Sequence, residues 1–178
     1  MNNIIEIGDI SNKGLEFDWN KEISWLQKQF SKDKITEFEF KEPLFSNFRI
    51  TKSNWNIFIK GRFKTKINLY CSRCLEKVLY SINLTVDKVL VPYEHEEYKE
   101  EKELKQEDLE KDYYLQKIDL FEIIKEQILL NIPYKTQCKK DCKGLCVQCG
   151  INLNHNQCDC HINKAIDQRF AILKNLKL

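Results

Sequence analysis

Hydrophobic positions in the first half of the chain recur at two spacings, and each spacing predicts a different element. Between residues 19 and 30 they recur every three or four positions, which predicts an amphipathic helix with one buried face. Asp18 precedes this stretch and is predicted to cap the helix. The helical positions are Trp19, Ile23, Leu26 and Phe30. We expect this stripe to pack in the core rather than to bind a cofactor.

From Ile35 to Val91 the hydrophobic spacing changes to two, as in strands that bury one face. Phe63 and Ile67, for example, alternate with polar residues such as Lys64. Short turns such as Ser53–Asn54 would connect consecutive strands. The alternation therefore predicts an antiparallel meander or a partly closed barrel.

A second helix is predicted to begin after Asp119, which can cap it, with Glu122 completing a capping box. Pro133 would end this helix. A short helix is also predicted near the C-terminus, with Ile166, Phe170 and Leu173 on one face.

Residues 94–112 interrupt these patterns with ten acidic and four basic residues. This composition predicts a solvated loop or exposed helix, and an acidic segment that imitates nucleic acid is the alternative.

Taken together, the patterns predict an α+β domain over residues 1–133 and a cysteine-rich module with a terminal helix over 134–178, packed on the first part. The predicted fold is an antiparallel sheet or partly closed barrel packed by two or three helices, with a zinc-binding C-terminal module.

Composition narrows the classes of function. The 178 residues are 42% hydrophobic and 31% charged, and no apolar run is long enough to span a membrane. The first residues lack a basic stretch followed by an apolar one, so we expect a cytoplasmic protein. In that compartment, eight cysteines predict metal binding or redox chemistry rather than disulfides.

The spacing of the cysteines predicts two zinc sites of four sulfurs each. Two cysteines separated by two residues can direct both sulfurs to one ion, and Gly144 and Gly150 suit the tight turns that this requires. One local site would use Cys146, Cys149, Cys158 and Cys160. The other would join distant parts of the chain through Cys71, Cys74, Cys138 and Cys142. A single zinc within residues 138–160 is the alternative. His155 and His161 could substitute as ligands, but we favour exposed positions without a ligand role for both histidines.

A thiol–disulfide oxidoreductase or redox sensor using Cys71 and Cys74 is a competing hypothesis, because Arg73 could lower a thiol pKa. The six further cysteines favour metal binding instead. All-cysteine zinc sites are usually closed and structural, and the sequence has no phosphate-binding glycine loop, nucleophile elbow or His-Glu-x-x-His motif. We therefore expect a protein that is not an enzyme.

Two groups of basic residues are candidates for contact with nucleic acid. The first, which we call the basic ribbon, lies on one predicted strand and comprises Lys60, Arg62, Lys64 and Lys66. The second, which we call the lysine cluster, comprises Lys139, Lys140 and Lys143. Because the net charge is only +2, contact with RNA would depend on such local patches. Trp55, Phe58 and Phe63 are candidates to stack on bases. The alternative is that the lysines only solvate the surface.

The motifs, in order, resemble those of a known family. They are Gly61 with Cys71-Ser-Arg-Cys-Leu-Glu76, then Ile118-Asp-Leu120 and Glu126 through Leu130 to Pro133, then Cys142-Lys-Gly-Leu-Cys146, Cys149-Gly150, Asn152-Leu-Asn154 and Cys158-Asp-Cys160, and finally Ile166-Asp-Gln-Arg-Phe170 with Leu173. Over about residues 50–178 the chain resembles the YceD family of large ribosomal RNA subunit accumulation proteins. Gln168 departs from the proline that is frequent there.

This resemblance implies a non-enzymatic ribosome biogenesis factor that supports accumulation or processing of large-subunit ribosomal RNA. The implied partners are that RNA or a precursor particle, and possibly a large-subunit ribosomal protein, with no membrane. One or two zinc ions are the expected cofactor.

Overall fold

The structure of the protein, a computed structural model, describes residues 3–11, 13–33, 38–93 and 112–161. The chain forms two compact units. Unit 1 contains Met1–Leu69 and Leu79–Tyr134, and unit 2 contains Tyr70–Val78 and Lys135–Leu178. Most of the acidic stretch, the residues from 34 to 37 and the predicted terminal helix lie outside the described residues.

The described part of the chain contains eight strands and two α-helices. Their bounds are β1 Ile4–Glu6, β2 Leu15–Asp18, α1 Ile23–Lys32, β3 Glu39–Phe40, β4 Phe45–Ser53, β5 Asn56–Tyr70, β6 Lys77–Pro92, β7 Asp112–Tyr114, β8 Lys117–Asp119 and α2 Leu120–Asn131. Within the described part of the chain, no helix is both long and apolar enough to cross a membrane.

The main sheet has six strands in the order β2–β4–β5–β6–β7, with β3 pairing on β5. Among the described strands β2 and β7 do not pair, so the sheet is open. Of the two predicted forms, the structure has the sheet and not the barrel. The sheet is mostly antiparallel, as predicted, but β6 and β7 pair in parallel. A separate two-stranded sheet joins β1 to β8.

The predicted alternation of buried and exposed residues is confirmed in the long hairpin of β4 and β5. Phe48, Ile50, Ile57 and Ile59 are buried on one face of the hairpin. Between them, residues such as Arg49 and Lys60 are exposed on the opposite face. The hairpin therefore offers one face to the core and one polar face to solvent.

The predicted cap of the first helix is wrong. Asp18 ends strand β2, where its carboxylate accepts a hydrogen bond from Asn47 Nδ2 at 3.0 Å. Helix α1 begins at Ile23, and its preceding residue Glu22 makes no side-chain cap. The helix nevertheless buries Leu26 and Phe30, as its spacing predicts.

The second helix follows its prediction closely. The Asp119 carboxylate accepts a hydrogen bond from the Phe121 backbone N–H at 2.9 Å, which caps α2. Glu122 was predicted to complete a capping box, but its carboxylate accepts a hydrogen bond from Lys125 Nζ at 2.7 Å. The helix ends at Asn131, two residues before Pro133.

Candidate metal centres

The eight cysteine sulfurs of unit 2 form two groups, and within each group the four sulfurs lie within 4.8 Å of one another. The members are the same as in the two predicted sets. The first sulfur group is Cys71, Cys74, Cys138 and Cys142, and the second sulfur group is Cys146, Cys149, Cys158 and Cys160. All eight cysteines are free thiols rather than disulfides.

The sulfur distances in the first group fit a tetrahedral metal ion. Four sulfurs about 2.3 Å from a central zinc would lie about 3.8 Å from one another. The Sγ atoms of Cys71 and Cys142 are 3.9 Å apart, and those of Cys74 and Cys138 are 3.5 Å apart. A disulfide requires about 2.05 Å, so these spacings suit coordination and not covalent pairing.

A tight backbone turn directs Cys71 and Cys74 to the first sulfur group. The Cys71 N–H donates to the Glu76 carbonyl at 2.8 Å, and the Leu75 N–H donates to the Cys71 carbonyl at 2.9 Å. The Ser72 N–H also donates to the Thr136 carbonyl at 2.8 Å, which holds the turn beside the segment that carries the other two sulfurs.

The same turn recurs at the second sulfur group. The Cys146 N–H donates to the Ile151 carbonyl at 2.8 Å, and the Gly150 N–H donates to the Cys146 carbonyl at 2.9 Å. Gly150 has a positive φ of 73°, as its position predicts, and the equivalent residue Leu75 has a φ of 60°. The two halves of the cysteine cluster are therefore copies of one backbone motif, although only the Cys-x-x-Cys spacing repeats in the sequence.

Three cysteines have lowered thiol pKa values, which favours the thiolate that a metal ion needs. Burial raises the pKa of Cys71, but hydrogen bonds from backbone N–H groups, Arg73 foremost, outweigh it and bring the pKa to about 6. The backbone N–H groups of Cys149 and Gln148 lower the pKa of Cys146 to about 6. A hydrogen bond from Asn154 is the main cause of the lowered pKa of Cys142.

Four other cysteines, Cys74, Cys138, Cys158 and Cys160, have raised thiol pKa values. For Cys74, the Glu76 backbone lowers the pKa, but burial and the neighbouring thiols raise it by more. The Cys149 sulfur and burial raise the pKa of Cys160 to about 12. Burial likewise raises the pKa of Cys138. Crowded sulfurs resist becoming four thiolates together, and a bound cation would supply the compensating charge. The donor set therefore fits a soft divalent metal.

Two polar residues that the sequence analysis named as motif positions, but not as neighbours of a metal site, contact the first sulfur group. Asn154 Nδ2 lies 3.4 Å from Cys142 Sγ, while its Oδ1 accepts from the Lys143 N–H at 2.9 Å. The Glu76 carboxylate lies 3.5 Å from Cys74 Sγ. The signal that could have found Asn154 is its place in an Asn-rich turn between cysteines, where side-chain amides hydrogen-bond nearby groups.

Of the two predicted substitute ligands, His155 joins neither sulfur group in the described part of the chain. His155 Nε2 lies 2.5 Å from Glu76 Oε1, and this contact is the main cause of the lowered pKa of the Glu76 carboxyl. His161 ends a short 3₁₀ turn over Asp159–His161, and its side chain lies outside the description. The sulfurs alone complete both groups of four.

The basic ribbon lies on the outer face of β5, but its members differ in their partners. Lys60 pairs with Asp87 at 3.1 Å, and Lys66 pairs with Glu42 at 2.7 Å. Arg62 and Lys64 form no ion pair with a described carboxylate. The lysine cluster is exposed in unit 2, close in sequence to Cys142.

The candidate stacking aromatics also differ. Trp55 is 72% exposed, whereas Phe63 is 1% exposed and belongs to the core, so the prediction that Phe63 stacks on a base is wrong. Phe58 is half-buried. Phe45, which the sequence analysis did not single out, is 45% exposed at the start of β4.

Comparison with known proteins identifies the family. Residues 59–177 match the family model described as large ribosomal RNA subunit accumulation protein YceD. A stretch of 63 residues is 35% identical to the chloroplastic large ribosomal RNA subunit accumulation protein YCED homolog 1 of Arabidopsis thaliana, covering 35% of this chain and 19% of the plant protein.

A second relative is an uncharacterized protein of Mycobacterium leprae, which is 25% identical over 119 residues, 67% of this chain and 53% of that protein. The chain thus spans about a fifth and about half of these two relatives. No solved structure is significantly similar to it. Because the family model covers more than half of the chain, this protein belongs to the YceD family of large ribosomal RNA subunit accumulation proteins.

Proposed function

We propose that this protein supports the accumulation of large-subunit ribosomal RNA by binding that RNA, or an assembling ribosomal protein, without catalysing a reaction. Membership in the YceD family, whose name states the accumulation role, is the observation that carries this proposal. The mechanism is argued from the surface and the sulfur groups of this chain.

Zinc is the metal we propose for both sulfur groups. Four cysteine sulfurs per site suit zinc, and a site with four protein ligands has no open position for water. Such an ion would act as a structural support. In unit 2 it would hold the Cys142 turn, on which the exposed Lys143 and the neighbouring Lys139 and Lys140 are mounted.

RNA contact is proposed to use the unpaired cations of the basic ribbon and the exposed lysine cluster. Side chains of this kind bind phosphates, and each phosphate contact makes binding more sensitive to salt. The modest net charge of +2 means that these patches, and not the whole chain, would attract RNA.

The burial of Cys71 and Cys74 favours metal binding over thiol–disulfide exchange. Cys71 is 0% exposed and Cys74 is 4% exposed, whereas a redox pair must meet its substrate through an accessible thiolate. The low pKa of Cys71 serves a metal ligand as well as it would serve a nucleophile.

Sedimentation tests the proposed partner. Tagged full-length protein should travel with large-subunit precursor particles in a density gradient, and not with small-subunit particles. Binding of purified protein to single-stranded RNA should weaken as salt rises, with a logarithmic slope of about −0.7 for each phosphate contacted.

Two further measurements distinguish binding to RNA from binding to a ribosomal protein. Replacing Lys139, Lys140 and Lys143 with alanine should reduce the salt slope, while Lys28→Ala on helix α1 should not. Flat salt dependence together with intact binding to a ribosomal protein would contradict direct RNA binding and indicate a protein-binding adaptor.

A further inference from the structure

A cleft of about 490 Å³ opens on the outer face of the main sheet in unit 1, and we call it the outer cleft. The start of β4 and the middle of β5 form it, and its lining includes Phe45, Arg62 and Lys64. Its volume lies within the range of small-molecule binding pockets. Phe45 and Lys64 are direct cross-strand partners, as are Asn47 and Arg62.

The unpaired positive charge of the basic ribbon is concentrated in this cleft. At the two ends of the ribbon, Lys60 and Lys66 are engaged by carboxylates. Arg62 and Lys64 lie between them, are exposed and have no ion pair within the described chain. An anion that approaches the basic ribbon therefore finds these two cations at the cleft.

An exposed aromatic ring accompanies these cations. Phe45 is 45% exposed, and Lys64 Nζ lies 5.7 Å from the centroid of its ring. A base stacked on this ring would have a phosphate-binding cation within reach. Aromatic rings next to positive charge are the usual platform for unpaired bases.

Amide side chains complete the lining and offer both hydrogen-bonding polarities. Asn47 donates its Nδ2 to Asp18, and no described residue donates a hydrogen bond to its Oδ1. Asn20 accepts from the Ser46 N–H at 3.0 Å through Oδ1 and retains Nδ2 as a donor. Asn83 lines the cleft from β6. These groups suit the edge of a base, whereas a bare phosphate would use only the cations.

We infer that the outer cleft binds one unpaired nucleotide of an RNA strand, with the base on Phe45 and a phosphate at Arg62 and Lys64. This inference rests on the RNA contact of the proposed function and gives that contact a place. The Asp18 carboxylate, which also lines the cleft, repels phosphate and confines it to the side of the two cations.

Binding of a fluorescently labelled single-stranded decamer RNA to the full-length protein, followed by anisotropy, tests the inference. Phe45→Ala should weaken binding about 5- to 150-fold with an unchanged salt slope, because it removes stacking and no charge. Arg62→Ala should reduce the magnitude of the salt slope by about 0.7. Phe45→Trp should retain binding.

One variant is expected to bind RNA more tightly, a result that misfolding could not produce. Asp18→Asn keeps an oxygen acceptor for Asn47 and removes the negative charge, so it should tighten RNA binding by up to about fivefold. A blunt RNA duplex of the same sequence should compete poorly, because its bases are stacked on one another and unavailable to Phe45.

Matched controls decide between the outcomes. Tyr134→Ala removes an exposed ring after helix α2, and Lys28→Ala removes an exposed charge on α1. If Phe45→Ala and Arg62→Ala bind RNA as tightly as these two controls, the cleft assignment is wrong and RNA contact lies elsewhere. If the unaltered protein binds no RNA even at low salt, direct RNA binding in the proposed function fails too.

Discussion

Leu75 and Gly150 occupy the same position in two copies of one backbone turn, and both have a positive φ. Glycine adopts this conformation freely, whereas a side chain in the left-handed region costs about 1–2 kcal/mol. Leu75 is 62% exposed, so core packing does not compensate for this cost. The first turn is therefore strained where the second is relaxed.

Exchanging residues at this position should change metal affinity in opposite directions. A Cβ at Gly150 would meet nothing within 4 Å, so Gly150→Ala acts through backbone strain and should weaken metal binding at the second sulfur group about 5- to 30-fold. Leu75→Gly should tighten binding at the first group about two- to fivefold, since the flexibility of glycine offsets part of the gain.

Competition titration of zinc against a chromophoric chelator would measure both effects. Equal affinities for Gly150→Ala and the unaltered protein would contradict the proposed dependence on the turn.

Asn154 acts on the first sulfur group through its contact with Cys142 Sγ. Residues that orient metal ligands typically contribute a 10- to 100-fold gain in affinity. Asn154→Ala should therefore weaken metal binding at that group by about this factor and leave the second group unchanged. Asn156→Ala, two positions away on an exposed side chain, is the matched control. The role of Asn154 is refuted if both variants release metal alike.

At the scale of elements, hydrophobic periodicity predicted which face of a strand is buried. It did not predict features that depend on pairing with a strand distant in sequence. The spacing of two located the faces of β4 and β5 because alternation alone determines which side chains meet the core. Nothing in β7 itself specifies that it pairs in parallel with β6. Asp18 looked like a helix cap, but pairing with β4 places it in a strand.

Gly61 is required by the packing of the hairpin and not by an unusual turn. A Cβ at this position would lie 2.4 Å from Cδ1 of the buried Phe48 and 2.8 Å from the Asn47 carbonyl oxygen. Gly61→Ala should therefore lower the free energy of unfolding by about 1–3 kcal/mol.

Urea denaturation followed by tryptophan fluorescence would measure the effect of Gly61→Ala. Gly8→Ala is its control, because a Cβ there would contact nothing within 4 Å. Equal stability of the two variants would contradict the packing argument.

For the whole molecule, the sequence predicted the cysteine groups more completely than it predicted the charged surface. Four-ligand chemistry limits how eight sulfurs can be divided, so the two groups could be predicted from the sequence. The surface depends on cross-strand neighbours. Lys60 and Lys66 meet carboxylates, whereas Lys64 lies beside Phe45 and Arg62 lies opposite Asn47. These neighbours follow from the folded arrangement and not from composition.

The metal content of native, folded protein tests the central claim most directly. Elemental analysis should give two zinc ions per chain, and one after either Cys74→Ser with Cys138→Ser or Cys149→Ser with Cys160→Ser, since each pair removes half of one sulfur group. Folded, unaltered protein that contains no metal and takes up none when zinc is added would contradict the account.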